Sequence, residues 1–384
     1  MPTTLPDERG LIGRKIQLLR DMRRVAVNTE DSFPKLLIRS LALRGRFGAR
    51  EALEMGLLAS RLSKEERSAC VPKRRLLALQ ARVNPPKLEF LTEDKAVFYS
   101  FCKGLGLPVP ELYAVFGRPA GWAIGKGPLV GRGEWEAFFA DSDALPPEVV
   151  VKPAHGAYGR GVRVLERSRG GYAERGGPWL SPADLYLALA SDARDRKFVL
   201  QQRLRSHPDL ESLSGVSFLQ TVRAVTHVEP DGRASVVMAD LKVIAGDRAV
   251  DNYDKGRSGN LCAHVDPASG CLDDAVGPDP CGAGVTVHKR HPRTRLPFSG
   301  FALPDWDAAL QLLSAAASAL LPLRSVGWDV ALTLGGPVLV EANMWWDPPN
   351  DLLIAPCGFG TRREMVDVLR RLERDAQEEV GPRD

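Results

Sequence analysis

The stretch Val338-Leu339-Val340-Glu341-Ala342-Asn343 constrains this chain more than any other. It reads as an apolar strand that ends by placing a carboxylate and an amide two residues apart. Side chains alternate along a strand, so Glu341 and Asn343 point to one side. Just upstream, Gly327-Trp328-Asp329-Val330-Ala331-Leu332-Thr333 reads as a second strand, with Gly335-Gly336 as the turn. Asp329 lies opposite Glu341 only if the connection has an odd length. The three residues 334–336 serve, with a glycine in the left-handed position. That register puts Asp329, Glu341 and Asn343 on one face. Hard oxygen donors facing one way suit Mg²⁺, which keeps several waters and takes other ligands from substrate phosphates. The plainer alternative is a hairpin with a polar outer side.

Composition sets the frame. A chain of 384 residues has room for two or three domains, and 44% apolar with 26% charged residues fits a globular protein with a real core. No apolar run approaches the ~18 residues of a membrane span, and the first twenty residues lack a signal-peptide stretch. The six cysteines form no CxxC pair and no metal spacing, as expected of reduced thiols in a cytoplasmic protein. Cys271 and Cys281 flank a Gly/Pro-rich loop, and a bridge between them is the lesser expectation.

Residues 1–90 carry 19 Lys and Arg against 10 Asp and Glu, so the rest of the chain is net negative although the total is +4. Such a segment suits nucleic acid or an anionic membrane surface. Its arginines are not interleaved with aromatics, so nucleic acid is not expected. Solvated surface helices are the plainer reading, and peripheral membrane contact stays open.

Along the chain, residues 11–80 read as helices. Asn84-Pro85-Pro86 then breaks the pattern and makes the best boundary. Thr92 is placed to cap a helix ending near Gly104. Strands are expected at 149–152, 162–165 and 198–201, with a helix over 182–189. Longer strands follow at 216–228 and 234–244. Residues 254–300, rich in Gly and Pro, read as a long loop or insert. Asp305 is placed to cap a helix through Leu320. Thr361 with Glu364 reads as a capping box for a last helix to about Ala376.

Glu148-Val149-Val150-Val151-Lys152-Pro153 is a strand that delivers a lysine, followed by Gly156, Gly159 and Gly161. Closely spaced glycines let backbone N–H groups turn toward an anion, and the lysine adds a point charge for phosphate. GxxxxGK[ST] is absent, and a strand follows where a dinucleotide fingerprint needs a helix. Either a phosphate-covering hairpin or an ordinary turn satisfies the pattern. Further on, Thr221 alternates with Arg223 and Asp240 with Lys242. An interior Arg opposite a Lys is costly as pure structure. A γ-phosphate or acyl phosphate between them would justify it, while an exposed sheet face is the alternative. His155 and His207 read as structural or solvent-facing. Trp345-Trp346 suits stacking on a ligand and packing about equally.

The order of Lys95, Lys152 with its glycines, the strand near 198–202, Asp329 and Glu341-Ala342-Asn343 resembles the ATP-grasp superfamily. More narrowly, the chain is similar to the sugar-transfer-associated ATP-grasp group, related to α-L-glutamate ligases. The supporting stretches are Lys152-Pro153, Gln201-Gln202 with His207-Pro208, Thr221-Val222-Arg223, Asp251-Asn252, His291-Pro292, Gly327-Trp328-Asp329 and Glu341-Ala342-Asn343. The resemblance covers about 88–358.

It implies an α+β fold in which two subdomains grip ATP, preceded by a basic helical region. The expected division is 1–86 helical, 87–203 lid subdomain, 204–376 metal and acceptor subdomain, and 377–384 polar tail. Lys95 and Lys152 are expected on the α- and β-phosphates, with Gly156, Gly159 and Gly161 as the lid. Gln201, Gln202, Arg203 and Leu204 are expected to hold adenine. Many members have an acidic residue near the ribose where this chain has Gln202. Asp329, Glu341 and Asn343 are expected to hold two Mg²⁺ ions, with Mn²⁺ an admissible substitute. Arg223 and Lys242 are the expected catalytic cations, and Thr221, Asp251, Asn252 and Lys255 the substrate contacts.

The implied activity is that of a carboxylate–amine ligase working through an acyl phosphate and releasing ADP. Its expected substrates are small or sugar-linked acids and amines of a surface-polysaccharide or natural-product pathway. The alternatives are a nucleotide-binding accessory protein of a surface-polysaccharide pathway and a kinase acting on a hydroxyl.

Overall fold

A computed structural model describes residues 8–59, 62–156, 159–174, 177–246, 251–253, 258–280 and 284–378. Among these residues, two antiparallel sheets divide the strands. The first contains β1 (Leu112–Gly117), β2 (Ala120–Ala123), β3 (Gly127–Val130), β4 (Glu148–Pro153), β5 (Arg163–Ser168), β6 (Gly171–Glu174), β7 (Trp179–Leu180) and β8 (Lys197–Gln202). Their spatial order is β3-β2-β1-β8-β4-β5-β6-β7. The second contains β9 (Thr221–Val228), β10 (Ala234–Val243), β11 (Leu261–Val265), β12 (Leu272–Pro278), β13 (Val285–His288), β14 (Ser325–Thr333) and β15 (Gly336–Asn343). Their order is β13-β12-β11-β10-β9-β14-β15. The expected strand at 216–228 thus starts at Thr221.

The loop expected over 254–300 holds β11, β12 and β13, which extend the second sheet beyond β10. Local composition misleads here, because edge pairing with β10 supplies the hydrogen bonds that Gly/Pro-rich sequence does not advertise. Cys281 lies outside the described residues, and Cys271 is a free thiol.

Ahead of the sheets lie α1 (Glu8–Asn28), α2 (Phe33–Ala42), α3 (Ala49–Glu54), α4 (Lys64–Ala69) and α5 (Lys73–Val83). They are followed by α6 (Phe90–Glu93) and α7 (Lys95–Gly104). The cap of α7 is Asp94, which accepts from the N–H groups of Ala96 and Val97; Thr92 lies within α6. Helices α8 (Arg132–Ala140) and α9 (Pro182–Ala190) cover the first sheet, burying Trp135, Phe139 and Leu185 against Phe116 and Val151. α10 (Pro208–Ser214) bridges to the second sheet. α11 (Trp306–Ala319) packs with α7 around Phe98, Leu313 and Trp328. Asp305 stands at the start of α11 but makes no side-chain cap. α12 (Asn350–Leu353) and α13 (Phe359–Glu378) complete the chain. Thr361 and Glu364 fall inside α13, not at its start, and Glu364 instead accepts from His264 Nε2 at 2.9 Å.

The early helices are welded to the second sheet. Val71, Leu76 and Val83 share a core with Val225, Met238, Trp346 and Met365. Asn84 is fully buried; its side chain donates to the carbonyls of Ser325 (2.7 Å) and Met344 (3.2 Å) and accepts from Ser325 N–H (3.1 Å). Gln80 donates to the Trp346 carbonyl at 3.0 Å. The sequence break at 84–86 therefore marks a turn in the chain but not an edge in the packing.

Candidate active site

The β14–β15 hairpin turns through Leu334 and Gly335, since Thr333 pairs with Gly336. That loop is one residue shorter than parity demanded. The missing residue appears as a β-bulge: Val330 pairs with Leu339 but Asp329 pairs with Glu341, leaving Val340 as the extra residue. Gly336, at φ +101, takes the left-handed position beside the turn. The carboxylates therefore face each other, as alternation required, through a different device. The Val340 carbonyl accepts from the Tyr99 hydroxyl at 2.9 Å, fastening the bulge to α7.

A cleft of about 770 Å³ opens between the two sheets. Asp329, Glu341 and Asn343 line it together. So do Lys95, Lys152, Arg223 and Lys242. The Lys152 ammonium, at the end of β4, donates to Tyr99 Oη at 2.9 Å. Burial, with neighbouring Lys95 as the next cause, pulls its pKa down to about 7. Lys95 reaches the Gly156 carbonyl (3.0 Å) and Glu341 Oε1 (3.1 Å). Its backbone N–H bonds the Ala154 carbonyl at 3.0 Å, so the start of α7 is tied to the end of the lysine strand.

Arg223 stands between Asp240 and Asp329 in register, on the strand between theirs. Its guanidinium forks onto Asp329 at 2.6 and 3.2 Å, and Lys242 reaches the same carboxylate at 2.8 Å. The cost expected of an interior Arg near a Lys is thus met by Asp329, a role that strand alternation did not reveal. Burial alone would raise the Asp329 pKa, but the two cations outweigh it and hold the carboxyl well below its usual range. Burial raises Asp240, opposed by Arg223, and raises Asp251, opposed by Lys242. Asp251 accepts from the Thr221 N–H at 2.7 Å and from its hydroxyl.

The remaining expected residues divide. Gly156, Gly159, Gln201, Gln202, Arg203, Leu204, Thr221, Asp251 and Asn252 line the same cleft. Gly161 does not; it sits at φ +72, where a Cβ would press on the Pro153 ring at 3.0 Å, so it serves the turn. Lys255 lies outside the described residues. Gln201 is buried and accepts from Tyr99 Oη at 3.0 Å. Gln202 accepts from the Glu111 N–H at 3.2 Å, which brings the carboxylate-bearing Glu111 next to the segment 201–204.

His155 is exposed against Asp94, and His207 caps α10 through Nδ1; neither lines the cleft. The tryptophan pair splits. Trp346 is core and donates to Ser325 Oγ, while Trp345 lines the cleft and donates to Glu89 at 3.1 Å.

Tyr99, absent from the sequence expectations, stands four residues after Lys95 and so on the same face of α7. Glu93 also lines the cleft, its pKa raised by burial and then by Glu341. Glu51, Met55 and Lys73 reach the cleft from the early helices. No local signal marks them, because their approach depends on long-range packing.

Among the described residues no trio of His, Cys, Asp or Glu is arranged to hold a metal ion. The oxygen donors here are two carboxylates and an amide. That set fits a hard cation shared with a phosphate ligand better than a closed all-protein site. No described helix is long and apolar enough to cross a membrane.

Residues 74–350 match the family model for sugar-transfer associated ATP-grasp proteins. No curated protein matches the chain. Among solved structures, it is similar to L-amino acid ligase from Bacillus licheniformis at 13% identity and TM-score 0.35. That match covers 66% of this chain, which spans only 40% of the ligase's length. D-alanine–D-alanine ligase from Bacillus anthracis is similar at 11% identity and TM-score 0.38, covering 75% of this chain and 70% of that one. A RimK domain ATP-grasp protein from Sphaerobacter thermophilus shows 15% identity and TM-score 0.35, with 72% and 67% covered. The family match takes in both sheets and α5, most of the chain, and on it the chain belongs to the sugar-transfer associated ATP-grasp family.

Proposed function

We propose that this protein is an ATP-dependent ligase that joins a carboxylate to an amine through an acyl phosphate. The observation that carries the reading is the meeting of Lys95, Lys152, Arg223 and Lys242 with Asp329 and Glu341 in one cleft. Arg223 and Lys242 both bond Asp329, with Asp240 and Asp251 close by, so the two cations are held in place beside the metal face. Lys95 and Lys152 bind the α- and β-phosphates, Gly156 and Gly159 cover them, and the backbone of 201–204 takes adenine. Asp329, Glu341 and Asn343 would hold Mg²⁺, which when bound would supply Lewis-acid neutralisation of the charge developing on the phosphates. Thr221, Asp251 and Asn252 stand where an acceptor would sit.

In the first step an oxygen of the substrate carboxylate attacks the γ-phosphorus. The bond to the β–γ bridging oxygen breaks, and ADP leaves. Arg223 and Lys242 stabilise the charge on the transferring group. In the second step an amine attacks the acyl carbon, the C–O bond to phosphate breaks, and the nitrogen sheds a proton. Positive charge gathered at the β- and γ-phosphates favours ADP over AMP as the product. With the correct acid present, hydroxylamine is expected to trap a hydroxamate in step with ADP release. Stoichiometric AMP and pyrophosphate would overturn the mechanism while leaving the fold untouched. Hydroxylamine-insensitive transfer to an alcohol would favour a kinase.

Lys152 supplies a second test. A polyphosphate favours its ammonium form, so at pH above about 7 ATP binding takes up a proton. Affinity is therefore expected to fall as pH rises through that value, by up to about tenfold per pH unit. Lys152→Met should weaken ATP binding by ~1.5–3 kcal/mol and flatten this pH profile. Calorimetric titration in buffers of different ionisation enthalpy reads both effects. Unchanged affinity and an unchanged profile would place Lys152 outside the nucleotide site.

A further inference from the structure

The early helices turn an apolar stripe to solvent. On α2, Leu37, Ile38 and Leu41 are 39%, 65% and 55% exposed, while Leu36 and Ser40 face the core. Pro34 extends the same stripe by helical spacing. On α1, Ile16, Leu19 and Val27 are 45%, 41% and 84% exposed, with Met22 and Val25 buried on another side. The Arg23 guanidinium lies over the Phe33 ring at 5.3 Å, joining the exposed side of α1 to the start of α2.

Charge on this face is one-sided. Arg14, Lys15, Arg20, Arg24, Lys35 and Arg44 are exposed around the stripes. Among residues 13–46 the exposed carboxylate is Glu30; Asp31 is buried against Arg39, and Asp21 is half-buried beside Arg50. A solvated helix surface explains the arginines but leaves the aliphatic side chains without a reason to be outside. Scattered single apolar residues need none, whereas stripes at helical spacing on two adjoining helices do.

We propose that α1 and α2 form a peripheral docking face for an anionic lipid surface. Aliphatic side chains would enter the headgroup boundary, and the arginines and lysines would lay their stems alongside and meet lipid phosphates. The face lacks what a protein partner usually asks for. Its exposed large apolar residues are all aliphatic, whereas protein interfaces centre on aromatics and exclude charge from the middle. This inference is independent of the ligase reading, since none of these residues lines the cleft.

The test is co-sedimentation of the full chain with vesicles of phosphatidylcholine alone and with added phosphatidylglycerol. Pelleting is expected with the anionic vesicles and not the neutral ones, with release by salt. Ile38→Ser with Leu41→Ser, and separately Arg20→Gln with Arg24→Gln, should each lower vesicle partitioning on the order of tenfold. Because these side chains are exposed, the melting temperature should hold, and it is measured alongside. Three results would overturn the proposal: no pelleting with either vesicle, equal pelleting with both, or α2 substitutions that leave pelleting unchanged. If the α2 substitutions instead convert a dimer to a monomer in sedimentation velocity without altering pelleting, the face belongs to a second copy of the chain.

Discussion

Replacing Glu341 by Gln, or Asn343 by Ala, is expected to lower Mg²⁺-dependent ADP release by at least ~10²–10³-fold. The fold should persist. Glu341 is partly exposed and its one described ion pair is with Lys95 at 3.1 Å, while among the described residues the Asn343 side chain makes a long contact to the Gly327 carbonyl at 3.5 Å. Neither change removes core packing, so stability should shift by about 1 kcal/mol or less. The two readouts separate the possibilities. A large loss of turnover with an unchanged melting curve fits a ligand role for the strand end. Near-native turnover in Mg²⁺ for either variant would remove that residue from the metal site.

Deleting residues 1–84 is expected to destroy the folded state rather than to leave a nucleotide-binding fragment. Val71, Leu76 and Val83 are buried to within 2% of full enclosure. Removing them forfeits roughly 5–9 kcal/mol of burial, at ~1.5–3 kcal/mol each. A domain's whole stability is only about 5–15 kcal/mol. The backbone carbonyls of Ser325, Met344 and Trp346 also lose the side-chain donors supplied by Asn84 and Gln80. The fragment 85–384 should therefore be insoluble, or melt without a cooperative transition. A cooperative melt together with ATP binding would show that the remaining chain can close its own core.

The face of the hairpin was legible because strand period is rigid: Asp329, Glu341 and Asn343 share a parity that few arrangements can break. The device that set their register was not legible. A bulge leaves no local signature distinct from a longer turn, and both satisfy the same arithmetic. The lysine strand and its glycines were readable from residue type alone. Tyr99 could have been found from its spacing to Lys95.

Other features depend on contacts between distant segments. Asp329 as counter-ion to Arg223 and Lys242 needs the neighbouring order β10-β9-β14. The strands β11 to β13 need an edge to pair with. The union of α5 with the second sheet rests on Asn84 and Gln80, polar residues that a local reading places at the surface.

The bulge at Val340 also decides where this chain can change length. From Thr333–Gly336 back to Val330–Leu339 the hairpin keeps a simple pairing, and Leu334 at its tip is 79% exposed. The turn does not set Asp329 against Glu341, so the tip is a tolerant address. Extra residues, a dye or an epitope could be placed at 334–335 without rotating the carboxylates. Excising Val340 is the opposite case. Losing that one interior residue would straighten the strand and keep Glu341 opposite Asp329 in plain register, but it would remove the carbonyl that fastens the strand to Tyr99. Length variation among relatives should therefore gather at the hairpin tip and avoid the bulge.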